Sequence, residues 1–132
     1  MQIFELMIKD QVFEFEFGMR FLRDLDNTIV KKDGNGVAIK YGYLYSFAGL
    51  LDHDLESLIE VLKIANKGHN PRITDALLYD FIDDESTDLD EVFDKVMDFL
   101  KSQNATKGKT EQVVKTLTAL AEQNGAELPV KE

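Results

Sequence analysis

The chain has 132 residues and a formal net charge of −10, with 44% hydrophobic and 30% charged residues. That length favours one domain able to bury a core without staples, and the composition is globular rather than disordered. The absence of cysteine excludes disulfides, thiolate nucleophiles and cysteine-bound metals. The negative field opposes direct binding of nucleic acid or anionic lipid.

The N-terminal MQIFELMIKD carries no basic region and no long apolar run, so it does not read as a signal peptide. No stretch approaches the ~18 apolar residues that cross a bilayer. A soluble, cytosolic protein is expected.

In chain order, QIFELMI (2–8) predicts a first strand, KDQ (9–11) a hairpin loop and VFEFEF (12–17) the return strand. Side chains alternate across a strand, so Phe13, Phe15 and Phe17 share one face and Glu14 and Glu16 the other, wetter one. A lone hairpin is marginal in water. The segment after Gly18 can cover it, because Met19, Leu22, Leu25 and Ile29 fall on one helical stripe. KKDGNG (31–36) predicts the end of that helix, with lysines in its last turn. VAIKYGYLYSFAGLL (37–51) has Lys40 as its one charged residue and places Leu44, Phe47, Leu50 and Leu51 at helical spacing, bordered by Tyr41, Tyr43 and Tyr45.

Asp54 predicts an N-cap for a helix carrying Leu55, Leu58, Ile59 and Leu62, which NKGHNP (66–71) stops. Thr74 predicts the cap of a short helix with Leu77, Leu78, Phe81 and Ile82. Asp88, with Glu91 three residues on, has the capping-box pattern ahead of Leu89, Val92, Phe93, Val96 and Leu100. By composition 102–110 is a linker. A last helix over about 110–123 offers Val113, Val114, Leu117, Leu120 and Ala121, stops at Asn124-Gly125, and could dock on the core or stand off from it. The fold class is therefore α+β: an antiparallel hairpin covered by about four helices, then a linker and a C-terminal helix.

Chemistry-bearing motifs are few. Residues 75–100 hold ten carboxylates against the one base Lys95, so most of the net charge lies in one stretch. A calcium loop needs Gly at position six and Glu at position twelve. Counted from Asp84 these are Leu89 and Lys95, and from Asp83 they are Asp88 and Asp94, so a solvated acidic connector is the better reading. His53 and His69 belong to no ligand-spaced cluster and read as surface loop histidines. DGNGVAIKYG lacks the phosphate-loop pattern, and no nucleophile elbow is present. No catalytic residue, metal or cofactor is assigned.

Two features remain. The tyrosine-rich segment 37–51 reads as core or as a docking surface, since tyrosine joins apolar area to a polar tip. The acidic zone reads as a solubilising face or as steering toward a basic partner.

The order of these pieces resembles a known family. A hairpin runs into FGMRFLRDLD, a helix ends in IANKGHNPRIT, and DFIDDESTDLDEVFDKVMDFLKSQNATK follows. Over roughly residues 1–107 this is similar to the tail assembly chaperones of long-tailed bacteriophages and prophages of Gram-positive bacteria. The resemblance implies a non-enzymatic protein that holds the tape-measure protein soluble and brings tail-tube subunits to it. Such a protein works in the host cytoplasm and is absent from the finished virion. The family includes short and frameshift-extended forms. Residues 1–103 would form the chaperone core and 104–132 a linker and terminal helix. The expected client contacts are Tyr41, Tyr43, Leu44, Tyr45 and Phe47, with Asp83, Asp84, Glu85, Asp88 and Glu91 keeping the complex dispersed. Self-association is compatible with coating a long client, although no heptad tract specifies it. The rival reading is an acidic DNA mimic that inhibits a host enzyme. Its carboxylates would be spaced like phosphates along a face, whereas these cluster in a connector and one helix.

Overall fold

A computed structural model describes residues 2–124. Strands β1 (Phe4–Ile8) and β2 (Gln11–Phe15) pair antiparallel, with Phe4 opposite Phe15 and Leu6 opposite Phe13. The turn between them is two residues, not three. Lys9 and Asp10 both have positive φ, 51° and 63°, the left-handed pairing whose twist matches that of the strands it joins. Phe13, Phe15 and Phe17 are all buried, as the alternation required. Phe4 and Ile8 join them from β1, while Glu5, Met7, Val12 and Glu14 take the outer face.

Helix α1 (Met19–Asp26) covers that phenylalanine face, but on a different stripe from the expected one. Phe21 and Leu25 are buried and Leu22 is half-buried, whereas Met19 is 64% exposed and Ile29 lies past the helix end. The larger ring decides the rotation. Phe21 meets Phe17 edge-on at 5.0 Å and 89°, the arrangement aromatic pairs favour.

Residues 31–36 do not end a helix. They belong to a second hairpin, β3 (Val30–Lys32) and β4 (Ala38–Lys40), with Val30 opposite Lys40 and Lys32 opposite Ala38. Asp33 builds its turn, Oδ1 accepting from the N–H groups of Asn35 at 2.8 Å and Val37 at 3.0 Å. The two lysines imitate a helix C-terminus, and three-residue strands leave too short an alternation to contradict them.

Helix α2 (Gly42–Leu51) consequently starts five residues later than 37. Its first turn lies against the end of α1, where Asp26 Oδ1 accepts from the Tyr43 N–H at 3.2 Å and caps α2 from a neighbouring helix. Tyr43, Tyr45, Ser46, Phe47 and Leu50 are buried, which makes α2 a central helix rather than an amphipathic one. Leu51, on the expected stripe, is exposed.

Helix α3 (Leu55–Asn66) is capped as predicted, Asp54 Oδ2 accepting from Ser57 N–H at 3.1 Å and Ser57 Oγ at 2.7 Å. It buries Leu58, Val61, Leu62 and Ala65 and leaves Leu55 exposed. Its last residue is a fully buried asparagine. Asn66 Nδ2 donates to the carbonyls of Glu14 at 3.0 Å and Pro71 at 3.2 Å, and Oδ1 accepts from Ile73 N–H at 2.7 Å. One amide thus joins β2, the end of α3 and the following loop. Asn66→Ala strands those groups, and a buried unmet partner costs about 1–3 kcal/mol each before relaxation. A net loss of roughly 2–4 kcal/mol is expected in urea titration; an unchanged midpoint would show that the loop does not depend on this amide.

Helix α4 (Asp75–Asp83) starts at the Thr74 cap, whose Oγ1 accepts from Leu77 N–H at 3.2 Å, and it buries Leu78. Helix α5 (Leu89–Ser102) starts at Asp88, whose Oδ1 accepts from Glu91 N–H at 3.1 Å. Only this half of the capping box is seen, and the Glu91 carboxylate lies 2.7 Å from Lys95 Nζ. Val92, Phe93, Val96 and Leu100 are buried as expected.

Where composition reads as a linker, the chain makes a short turn into α6 (Lys107–Asn124). Three polar residues of that stretch, Gln103, Thr106 and Thr110, are buried. Thr106 Oγ1 donates to Leu100 O at 2.8 Å, and Thr110 Oγ1 lies 3.0 Å from Leu100 O and 2.9 Å from Thr106 O. The Thr110 oxygen is 2.6 Å from the Tyr43 hydroxyl. With the threonine proton on a carbonyl, Tyr43 is the donor. Val113 is buried and Leu117 packs on the core, so the first half of α6 docks against α2 and α5. The expected stop at Asn124-Gly125 falls at and beyond the last described residue.

Burial pushes the Tyr43 hydroxyl up to about 12 from 10.0. The neutral form is the one the fold holds, so this stability is complete below pH 10 and drains away as pH rises toward 12. The slope approaches about 1.4 kcal/mol per pH unit. Tyr43→Phe is expected to cost roughly 1 kcal/mol at pH 7 and to abolish this share of the alkaline loss. Urea midpoints at pH 9 and pH 11 read both, and parallel pH profiles for the two proteins would refute the assignment.

Candidate functional site

The structure divides the aromatic residues expected to meet a client. The rings of Tyr43 and Phe47 stack at 6.2 Å and 9° inside the core, with no more than 1% of either exposed. Their area is already used in packing. Leu44 is half-buried against the same core. Tyr41, at the N-terminus of α2, is half-buried and meets Tyr45 edge-on at 6.3 Å. Tyr45 is 9% exposed, and its hydroxyl is pushed up by burial and by Tyr41. Of the five expected contacts, Tyr41 and Leu44 are the ones left partly exposed.

The acidic residues are all outside. Asp83, Asp84, Glu85, Asp88 and Glu91 are exposed along the α4–α5 turn and the start of α5. Asp84 Oδ1 accepts from Ser86 N–H at 2.9 Å and Ser86 Oγ at 2.8 Å, and these bonds hold its carboxyl below the usual range. The structure brings Asp84, Asp88 and Glu91 together with the β1–β2 tip around a groove of about 400 Å³. Its apolar side is Met7, Ile8, Phe81 and Val92, and Lys9 Nζ lies 2.6 Å from Asp80 Oδ2 on its rim. None of the α2 aromatics lines it. The sequence signalled the acids but not the apolar partner, because Met7 reads only as an interior strand residue. It is 65% exposed, facing away from the phenylalanines.

Both histidines tie elements together rather than sitting bare in loops. His53 stacks on Phe93 at 4.4 Å and 5°, and its Nδ1 lies 3.0 Å from Asp90 Oδ1. His69 lies between Glu14 of β2 and Glu16 just past its end, Nε2 at 3.2 Å from Glu16 Oε1 and Nδ1 at 3.5 Å from Glu14 Oε1. Two carboxylates on a strand's outer face, one residue apart in alternation, were the available signal. Among the described residues no group of three His, Asp or Glu could hold a metal ion, and no helix is long and apolar enough to cross a membrane.

Fold and surface together define a small α+β protein with one shared core, two hairpins and a charged, grooved exterior. A family model, phage tail assembly chaperone protein (TAC), matches residues 5–115. The match takes in all of both hairpins but Phe4, then α1 to α5 and the docked start of α6, and the chain belongs to that family. No curated protein and no solved structure matches it.

Proposed function

We propose that this chaperone binds the tape-measure protein and brings tail-tube subunits to it during tail morphogenesis. The family match over residues 5–115 carries this reading. The work is done by non-covalent contact alone, in the host cytoplasm, and the chaperone leaves before the virion is complete. A long helical client needs apolar area to be covered and a like-charged coat to keep loaded complexes apart. Tyr41 and the edge of Tyr45 supply contact, and the exposed acids Asp83, Asp84, Glu85, Asp88 and Glu91 supply the charge. Weak contacts suffice when many copies line one client, because linked binding events reinforce one another.

Co-expression with the tape-measure protein of the same phage, followed by pull-down, tests this. The wild-type chain should hold the client in the supernatant. Tyr41→Ala should stay folded and recover roughly tenfold less, the size expected of an interface tyrosine. Equal client solubility with and without the chaperone would defeat the reading.

A further inference from the structure

The fold uses only part of the segment FGMRFLRDLD (17–26). Phe17, Phe21 and Leu25 go into the core, whereas Met19, Arg20 and Arg23 are exposed. Residues three and four apart on a helix are neighbours, so these three make one patch on α1. Met19 and Arg20 line a hollow of about 490 Å³ together with Ile64, Lys67, Gly68 and His69, from the end of α3 and the loop after it. Arg20 reaches over that loop, its Nη1 lying 3.6 Å from where a Cβ on Gly68 would sit. A smaller hollow beside it is lined by Met19, Arg20 and Arg23 themselves.

The nearby acids are already engaged. Asp24 Oδ2 lies 3.5 Å from Lys67 Nζ, and Glu16 Oε1 lies 3.2 Å from His69 Nε2. Neither Arg20 nor Arg23 forms an ion pair among the described residues. The chain has 25 acidic residues against 15 lysines and arginines, yet it leaves these two guanidiniums unmatched beside a methionine that is 64% exposed. A guanidinium is a planar fork that a carboxylate can accept through two parallel bonds. A methionine side chain adapts to irregular apolar neighbours, and both residue types are enriched where proteins meet.

We propose that this patch binds an acidic helical segment of a partner protein. Two carboxylates one turn apart on that segment meet Arg20 and Arg23, and an apolar side chain between them covers Met19. Charge complementarity and spacing select this occupant, since the two arginines are themselves one turn apart on α1. A polyphosphate fits worse, because the field of a chain at −10 opposes it along its whole length, and it would leave Met19 bare. The patch uses none of the residues assigned to the client above, so it stands whichever way the tape-measure test falls.

Fluorescence anisotropy tests this with the full chain and a labelled helix-forming peptide of about 16 residues, carrying glutamates three apart around leucines. With protein raised to about 1 mM, the peptide should bind with a Kd on the order of 0.1 mM, as exposed ion pairs are individually weak. Replacing its glutamates by glutamine should weaken binding roughly tenfold, a comparison that leaves the protein untouched. Arg20→Gln with Arg23→Gln should weaken it as much without shifting the melting curve; should that variant melt early, the glutamine peptide decides alone. Lys101→Gln with Lys115→Gln removes two exposed charges elsewhere and should change the Kd less than about twofold. A wild type that ignores the glutamate peptide overturns the proposal, as does equal binding of the glutamine peptide. So does a folded arginine variant that binds undiminished, or an equal loss in the lysine variant, which would make net charge the cause. Tighter binding of a labelled oligothymidylate would assign the arginines to phosphate and overturn it. If the wild type ignores the peptide but self-associates in sedimentation and the arginine variant does not, the patch belongs to a second copy and the proposal fails.

Discussion

Gly42→Ala is expected to cost at least about 3 kcal/mol and to leave little folded protein, because the added methyl has nowhere to go. A Cβ at this position would collide with the Leu25 carbonyl oxygen, and would lie 2.5 Å from Thr28 Oγ1 and 2.9 Å from the Asp26 carbonyl oxygen. Two of these are backbone atoms, which no change of rotamer removes. The helices α1 and α2 would have to separate, breaking the bond from the Tyr43 N–H to Asp26 Oδ1. Gly34→Ala is the control, since nothing lies within 4 Å of its Cβ position. It should be neutral to within about 0.5 kcal/mol, as surface changes usually are. Thermal melting of the two variants decides the matter. A Gly42→Ala protein that melts with the wild type would mean that the junction of α1 and α2 is loose.

Phe47→Ala is the second large effect, about 3–5 kcal/mol, the usual cost of emptying a buried phenylalanine site. In a domain of this size that is a fall of more than ~10 °C in melting temperature. The ring is 1% exposed and stacks on Tyr43, whose hydroxyl in turn meets Thr110 of α6. The damage should therefore reach the docking of the last helix. Tyr41→Ala, by contrast, should melt within a few degrees of wild type. If Phe47→Ala kept its melting point and lost only client binding, the ring would have to swing out of the core to meet a partner.

The N-terminal hairpin and the caps were legible because each rests on local chemistry. Three phenylalanines at alternate positions have one way to be buried together, and Asp54, Thr74 and Asp88 each bond an N–H three residues on. The second hairpin was hidden because Lys31, Lys32 and the glycines also fit a helix end, and nothing local separates the two. The rotation of α1 was misread because periodicity alone does not weigh Phe21 above Met19; contact with Phe17 does. Segment 102–110 read as a linker because Thr106 and Thr110 are polar. Their hydroxyls are satisfied by Leu100 O and Tyr43, partners that exist only once the helices meet. The aromatic site residues fell on both sides of the surface for a similar reason. Tyr41 and Tyr43 differ little in sequence context, but one precedes α2 and the other turns inward beneath α6.

The way α6 is seated has a practical corollary. Past Leu117, residues 118, 119 and 121–123 are exposed, and the helix advances roughly 10 Å from Leu117 to Asn124 at the usual rise per residue. Extra polypeptide inserted at the exposed residues 121–123 would displace no buried side chain of the described residues, and the first turns of the same helix would act as its bracket. Grafted before β1 instead, the same addition would adjoin Phe4, whose ring lies among Phe15, Phe17 and Phe99. Payload is therefore borne in the last exposed turns of α6 more readily than beside β1.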